Sequence, residues 1–137
     1  MLSDAVDQFI FGRISALPSV QALVGARIYR EIAPLDSALP LIVFARLDQE
    51  DLSAIGQPVT SSIFMYDIQI HAEGLSSAPL LSATEAIVDA LDGVAGAVGS
   101  VYIAARKIRD TRIPTYVSDG LIHQRIGGEF ELFAANN

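Results

Sequence analysis

The chain has 137 residues, 51% of them hydrophobic and 18% charged, with a formal net charge of −7 and no cysteine. That length suits one domain, residues 1–137, and the composition excludes a disordered chain. Without cysteine there are no disulfides and no thiolate metal sites. Nine basic residues against sixteen acidic ones, with one small cluster at Arg106, Lys107, Arg109 and Arg112, disfavour a nucleic-acid-binding face.

So few charges at this size imply that some surface is hidden against copies of the chain or against a partner. The start, MLSDAVDQF, carries acids and no basic stretch, so no signal peptide is expected. The longest apolar run falls far short of a membrane span. A soluble protein is expected, kept in a cytoplasm or built into a particle there.

Ser3 can cap a helix running to about Leu17, with Val6, Phe9, Ile10, Ile14 and Leu17 on one stripe. Pro18 stops it, Ser19 can start a second short helix through Val24, and Gly25 ends that one. Arg27 to Ile32 reads as a strand, with Pro34, Asp36 and Ser37 as the turn that follows. Pro40 opens a strand Leu41–Leu47, apolar on both faces and therefore expected to be central and covered on both sides. Asp48 to Thr60 reads as a long loop that exposes Leu52 and Ile55, a trait of binding loops.

Ser61 to Ala72 alternates cleanly, with Phe64, Tyr66, Ile68 and Ile70 on one face. Ser76 to Asp92 is the clearest helix, with Leu80, Thr84, Ile87, Val88 and Leu91 buried and Gly93 at its end. GVAGAVG (93–99) reads as a flexible connection and Val101 to Arg109 as a strand. Asp110 to Gly120 reads as a second long loop. Leu121 to Ala134 returns as a strand, bent or bulged at Gly127-Gly128. The fold class is α+β. A mostly antiparallel sheet is expected, with the N-terminal helix and one long middle helix on one face, in the order α-α-β-β-β-α-β-β.

No catalytic constellation emerges. The glycines of GVAGAVG follow a helix and precede a strand, the reverse of a phosphate-binding turn. His71 and His123 stand in separate strands without ligand spacing. Asp48, Glu50 and Asp51 lack the order of a calcium loop and read as a solvated or partner-facing acidic segment. There is no G-x-S-x-G elbow. No cofactor, metal or catalytic residue is assigned. The basic residues Arg106, Lys107, Arg109 and Arg112 form either a mixed-charge solvent face or a pairing surface for the acids of a neighbouring copy.

At LVGARIY, Pro34 and LPLIVF the sequence resembles the tail-completion, or tail-terminator, family of long-tailed bacteriophages and gene transfer particles. Ala22, Leu23, Val24, Gly25, Arg27, Ile28, Tyr29, Pro34, Leu39, Pro40 and Val43 carry the likeness. The strand Tyr66–Ile70, the helix Ala83–Leu91 with Gly93, and the closing LIHQRIGGEFEL extend it over nearly the whole chain. It departs at His71-Ala72, where an aromatic is common, and at the paired glycines of the last strand.

The resemblance implies a structural virion protein at the head-proximal end of the tail, assembled in the bacterial host cytoplasm. It implies a homo-oligomeric ring, usually a hexamer, that caps the tail tube and ends its polymerisation. Its partners would be the tail tube protein and a neck or head-completion protein. DNA would cross the lumen without specific binding, and no membrane is involved. Contacts are expected at Asp48, Glu50, Asp51, Leu52, Ile55, Arg106, Arg109, Arg112, Ile113 and Tyr116. A head-completion or neck connector role is the alternative. A small dimeric ferredoxin-like ligand-binding module or enzyme is the alternative from another class.

Overall fold

The computed structural model describes residues 2–52, 55–56, 60–74, 77–118 and 120–136, with the backbone alone at 77, 113–116 and 118. Among the described residues three helices, α1 (Leu2–Ser15), α2 (Pro18–Val24) and α3 (Ser77–Leu91), accompany six strands. These are β1 (Ile28–Arg30), β2 (Leu41–Leu52), β3 (Ser61–Glu73), β4 (Val94–Val98), β5 (Val101–Ser118) and β6 (Leu121–Asn136). They form one sheet in the order β1-β2-β3-β6-β5-β4. Among the described residues no helix is long and apolar enough to cross a membrane.

The alternation of Ser61–Glu73 makes β3 the spine of the sheet. Ser62, Phe64, Tyr66, Ile68, Ile70 and Ala72 are all buried, and the residues between them are half-exposed. Register carries the buried face outward through Leu132, Phe130 and Ile126 of β6, Ile103 and Ala105 of β5, and Ile42 and Phe44 of β2. Onto it pack Val6, Phe9, Ile10 and Ile14 of α1, Val20 and Val24 of α2, and Leu80, Ala83, Ile87 and Leu91 of α3. Fully burying one such side chain stabilises by roughly 1.5–3 kcal/mol.

The sheet is mixed, where a mostly antiparallel one was expected. β1 and β2 pair in parallel, Ile28 with Ile42 and Arg30 with Phe44. The ten residues between them do not turn back as a hairpin. Glu31 and Asp36 take positive φ, and a cis Leu39–Pro40 bond precedes β2, which starts level with β1.

The expected element order lacks β4, because GVAGAVG reads as a linker. Gly96 meets a packing requirement: a Cβ there would stand 3.1 Å from the Phe9 ring of α1. Gly93 and Gly99, both at positive φ, bracket the strand.

The first expected loop begins as strand, with residues 53–54 and 57–59 outside the described residues, and the second is mostly strand. Asp48–Leu52 continues β2, paired in register with Ser61–Met65, and Asp110–Ser118 continues β5 against Leu121–Gly128. Polar residues alternate well enough on a sheet with one wet face, which is why they read as loop. β2 takes one extra residue and β5 two. The register shifts fall at Leu47 in β2, and at Ile108 and between Ile113 and Tyr116 in β5. Leu47 is consequently exposed rather than part of a two-faced core strand.

β6 carries no register shift against β3, so the paired glycines make no bulge there. The glycines serve close approach instead. A Cβ on Gly127 would lie 1.9 Å from the Ile68 carbonyl oxygen. At the helix starts, Ser3 lies inside α1, and α2 begins with Pro18 at its first position and Leu17 as N-cap, so neither Ser3 nor Ser19 is a cap.

Candidate functional site

The sheet leaves one face without a helix. β3 presents Ile63, Met65, Asp67, Gln69 and His71 to it. The same register sets Phe133, Glu131 and Glu129 of β6 beside them, then Arg106 and Arg109 of β5. Two ion pairs cross from β5 to β6, Arg106–Glu131 at 3.0 Å and Arg109–Glu129 at 2.6 Å. Asp67 lies next in the row. Burial, with Glu129 beside it, raises its carboxyl above the usual carboxylate range, and Thr111 donates to it at 3.4 Å. Beyond this charged band the face turns apolar at Ile63, Phe133 and Tyr102, of which Phe133 and Tyr102 are exposed.

The sequence-predicted acids do not converge. Asp51 accepts from Ser62 Oγ at 2.7 Å and from Gln49 Nε2 at 2.8 Å, and these bonds hold its carboxyl below the usual range. Asp48 accepts from the backbone N–H of Gln49 at 2.9 Å, and Glu50 is exposed. Among the described residues no group of three or more His, Asp or Glu could hold a metal. Leu52 is half-buried at the end of β2, and Ile55 is fully exposed.

The basic cluster divides between two faces. Arg106 and Arg109 point to the open face, while Lys107 and Arg112 border a groove of about 440 Å³ between α3 and β5. Lys107 pairs with Asp110 at 3.0 Å, and its backbone N–H donates to Asp92 at the end of α3. The groove mixes Leu81 and Val88 with Glu85 and Asp89. Ile113 and Tyr116 lie on β5, but their side chains fall outside the described residues.

His71 and His123 are brought to one end of the open face. They line a small hollow with Leu39, Gln124 and Arg125. Burial and then Arg125 lower the His71 pKa, and His123 Nδ1 lies 4.0 Å from Glu73. The neutral His71 imidazole beside Arg125 offers a polar contact surface.

Several exposed apolar residues escape the sequence reading. Ile32 is 79% and Leu35 93% exposed in the connection from β1 to β2, and Val117 and Ile122 are exposed near the turn joining β5 to β6. An apolar residue amid turn-formers, as in Pro34-Leu35-Asp36-Ser37, was the available signal.

The tail completion protein gp17 family matches residues 8–123. The chain belongs to that family. It is a structural protein of phage-type tails, and the resemblance of its helix ends and strands is thereby accounted for. No curated protein matches it. A solved chain described as "Virion of native gene transfer agent (GTA) particle" is similar in fold, with a TM-score of 0.60 at 16% identity over 98% of each chain.

Proposed function

We propose that this tail completion protein acts without catalysis, as a ring of copies, six in the preferred reading, that closes the head-proximal end of the tail tube. The ring ends polymerisation of the tube protein and offers its other surface to a neck or head-completion protein. Assembly takes place in the bacterial host cytoplasm. The family match over most of the chain carries this reading. Exposed apolar residues in two separate connections, Leu35 between β1 and β2 and Ile55 between β2 and β3, support contacts with other chains. A net charge of −7 suits a passage that DNA must cross without sticking.

Cryo-EM of particles carrying an epitope-tagged chain tests the placement. Label at the tube's last ring, on the head side, is the expected result. Label within the head vertex, or at the distal tip, would overturn it.

A further inference from the structure

The sheet is left open on both sides, and the two openings differ in charge. β1 covers β2 only at Ile42–Phe44, and Glu31 extends that cover as far as Arg46. β4 covers β5 only at Val101–Ala105, and Asp92 takes the N–H of Lys107. Among the described residues no strand pairs with the outer side of Leu47–Leu52 or of Ile108–Ser118. Unpaired ladders of this length invite another strand. The β2 edge, Arg46–Leu52, carries three acids and one base, whereas the β5 edge, Arg106–Arg112, carries four bases and one acid.

The geometry is also complementary. β2 runs antiparallel to β3, β3 to β6 and β6 to β5, so β5 runs antiparallel to β2. A copy rotated about an axis roughly along the sheet brings its β2 antiparallel to the β5 of its neighbour. The free stretches lie at opposite ends of the sheet. Leu52 is level with Ser61, Ala135 and Tyr102, which lies in the stretch that β4 covers. Ile42, which β1 covers, is level with Ile70, Ile126 and Arg112. Neighbours must therefore step along the strand direction, as strands step in a closed barrel. In that step β4 of one copy abuts the end of β2 of the next, and β1 lies past the end of β5.

We propose that copies of this chain join head to tail by adding the free edge of β2, which carries Asp48 and Glu50 on the open face, to the free edge of β5 of the next copy, which carries Arg109 on that same face. The contact is heterologous, so it propagates until a ring closes. It gives a continuous sheet around the ring, with backbone hydrogen bonds for affinity and charge for register. This deepens the ring reading and rests on it.

The test is a cryo-EM map of the tail end, together with a charge exchange. The map is expected to show β2 of one copy about 4.8 Å from β5 of its neighbour, the spacing of paired strands. Asp48→Lys/Glu50→Lys is expected to lower incorporation into particles about tenfold, and adding Arg109→Glu to restore it to within about twofold. Thermal melts of each variant keep a folding defect apart from an assembly defect. A ring whose copies touch elsewhere, with both edges unpaired, or a charge exchange that restores nothing in folded protein, overturns the edge pairing and leaves the ring standing. Particles with no ring of this chain overturn the ring reading itself.

Discussion

Tyr66, at the centre of the sheet, donates its hydroxyl to the carboxylate of Asp7 on α1. Arg30 of β1 holds the other oxygen of that carboxylate at 2.9 Å. One buried phenol thus ties the first helix, the edge strand and the middle of the sheet together. Burial, and then Asp7, push the Tyr66 pKa far above the usual phenol range. Tyr66→Phe should cost about 1–2 kcal/mol in urea unfolding, because Asp7, mostly buried, loses a donor. Asp7→Ala should cost at least as much, since it strands the phenol and frees Arg30. A Tyr66→Phe protein as stable as the parent would contradict this.

Glycine substitutions should separate close approach from propensity. Gly127→Ala drives a methyl group into the Ile68 carbonyl and should cost about 3 kcal/mol or more, or prevent folding. Gly12→Ala meets nothing within 4 Å on the exposed side of α1 and should stabilise by roughly 0.5–1 kcal/mol. Paired thermal melts check both signs.

Much of the fold was legible because the main elements are strongly periodic. β3 and α3 declare themselves, and Gly25 and Gly93 end their helices as expected. What was hidden depends on partners distant in sequence. The parallel pairing of β1 rests on the path between Glu31 and Pro40, not on the strand residues. β4 looks like a linker because its residues are small, Gly96 for the sake of Phe9. Asp48–Leu52 and Asp110–Ser118 look like loops because a strand with a wet face can be polar. Arg106 and Arg109 read as available cations, and cross-strand register is what gives them Glu131 and Glu129.

The pH response should carry the mark of His71. Its imidazole stays neutral in the fold because burial and Arg125 lower its pKa. The unfolded chain takes up the proton near the ordinary value of about 6.5. This contribution to stability is therefore complete above about 6.5 and shrinks as pH falls below it, towards the lowered folded value. His71→Gln should flatten the slope of unfolding free energy between about pH 6.5 and 5.

Asp67 works in the opposite direction. Its carboxyl is raised in the fold, so the folded state holds its proton more firmly than the unfolded state does. Stability falls as pH rises through the ordinary carboxylate value and up to the raised one, and the penalty persists at neutral pH. Asp67→Asn should therefore stabilise the isolated chain at pH 7 and lose that advantage in acid. Denaturant midpoints at the two pH values check this.

The exposed apolar residues should matter to assembly and not to folding. Leu35→Asp and Ile55→Asp are expected to leave the melting midpoint nearly unchanged, within about 0.5 kcal/mol, because neither side chain is packed. Both should lower the yield of joined particles. Normal yields of joined particles from both variants would remove these positions from the contact surface.

The central claim is that this chain stops the tail tube and then receives the head. The lengths of tails made without it, measured by negative-stain electron microscopy, test that most directly. Tubes that overrun their normal length, with a broad distribution and no heads attached, are the expected result. Tails of one normal length lying beside unjoined heads would contradict it and place the chain in the neck.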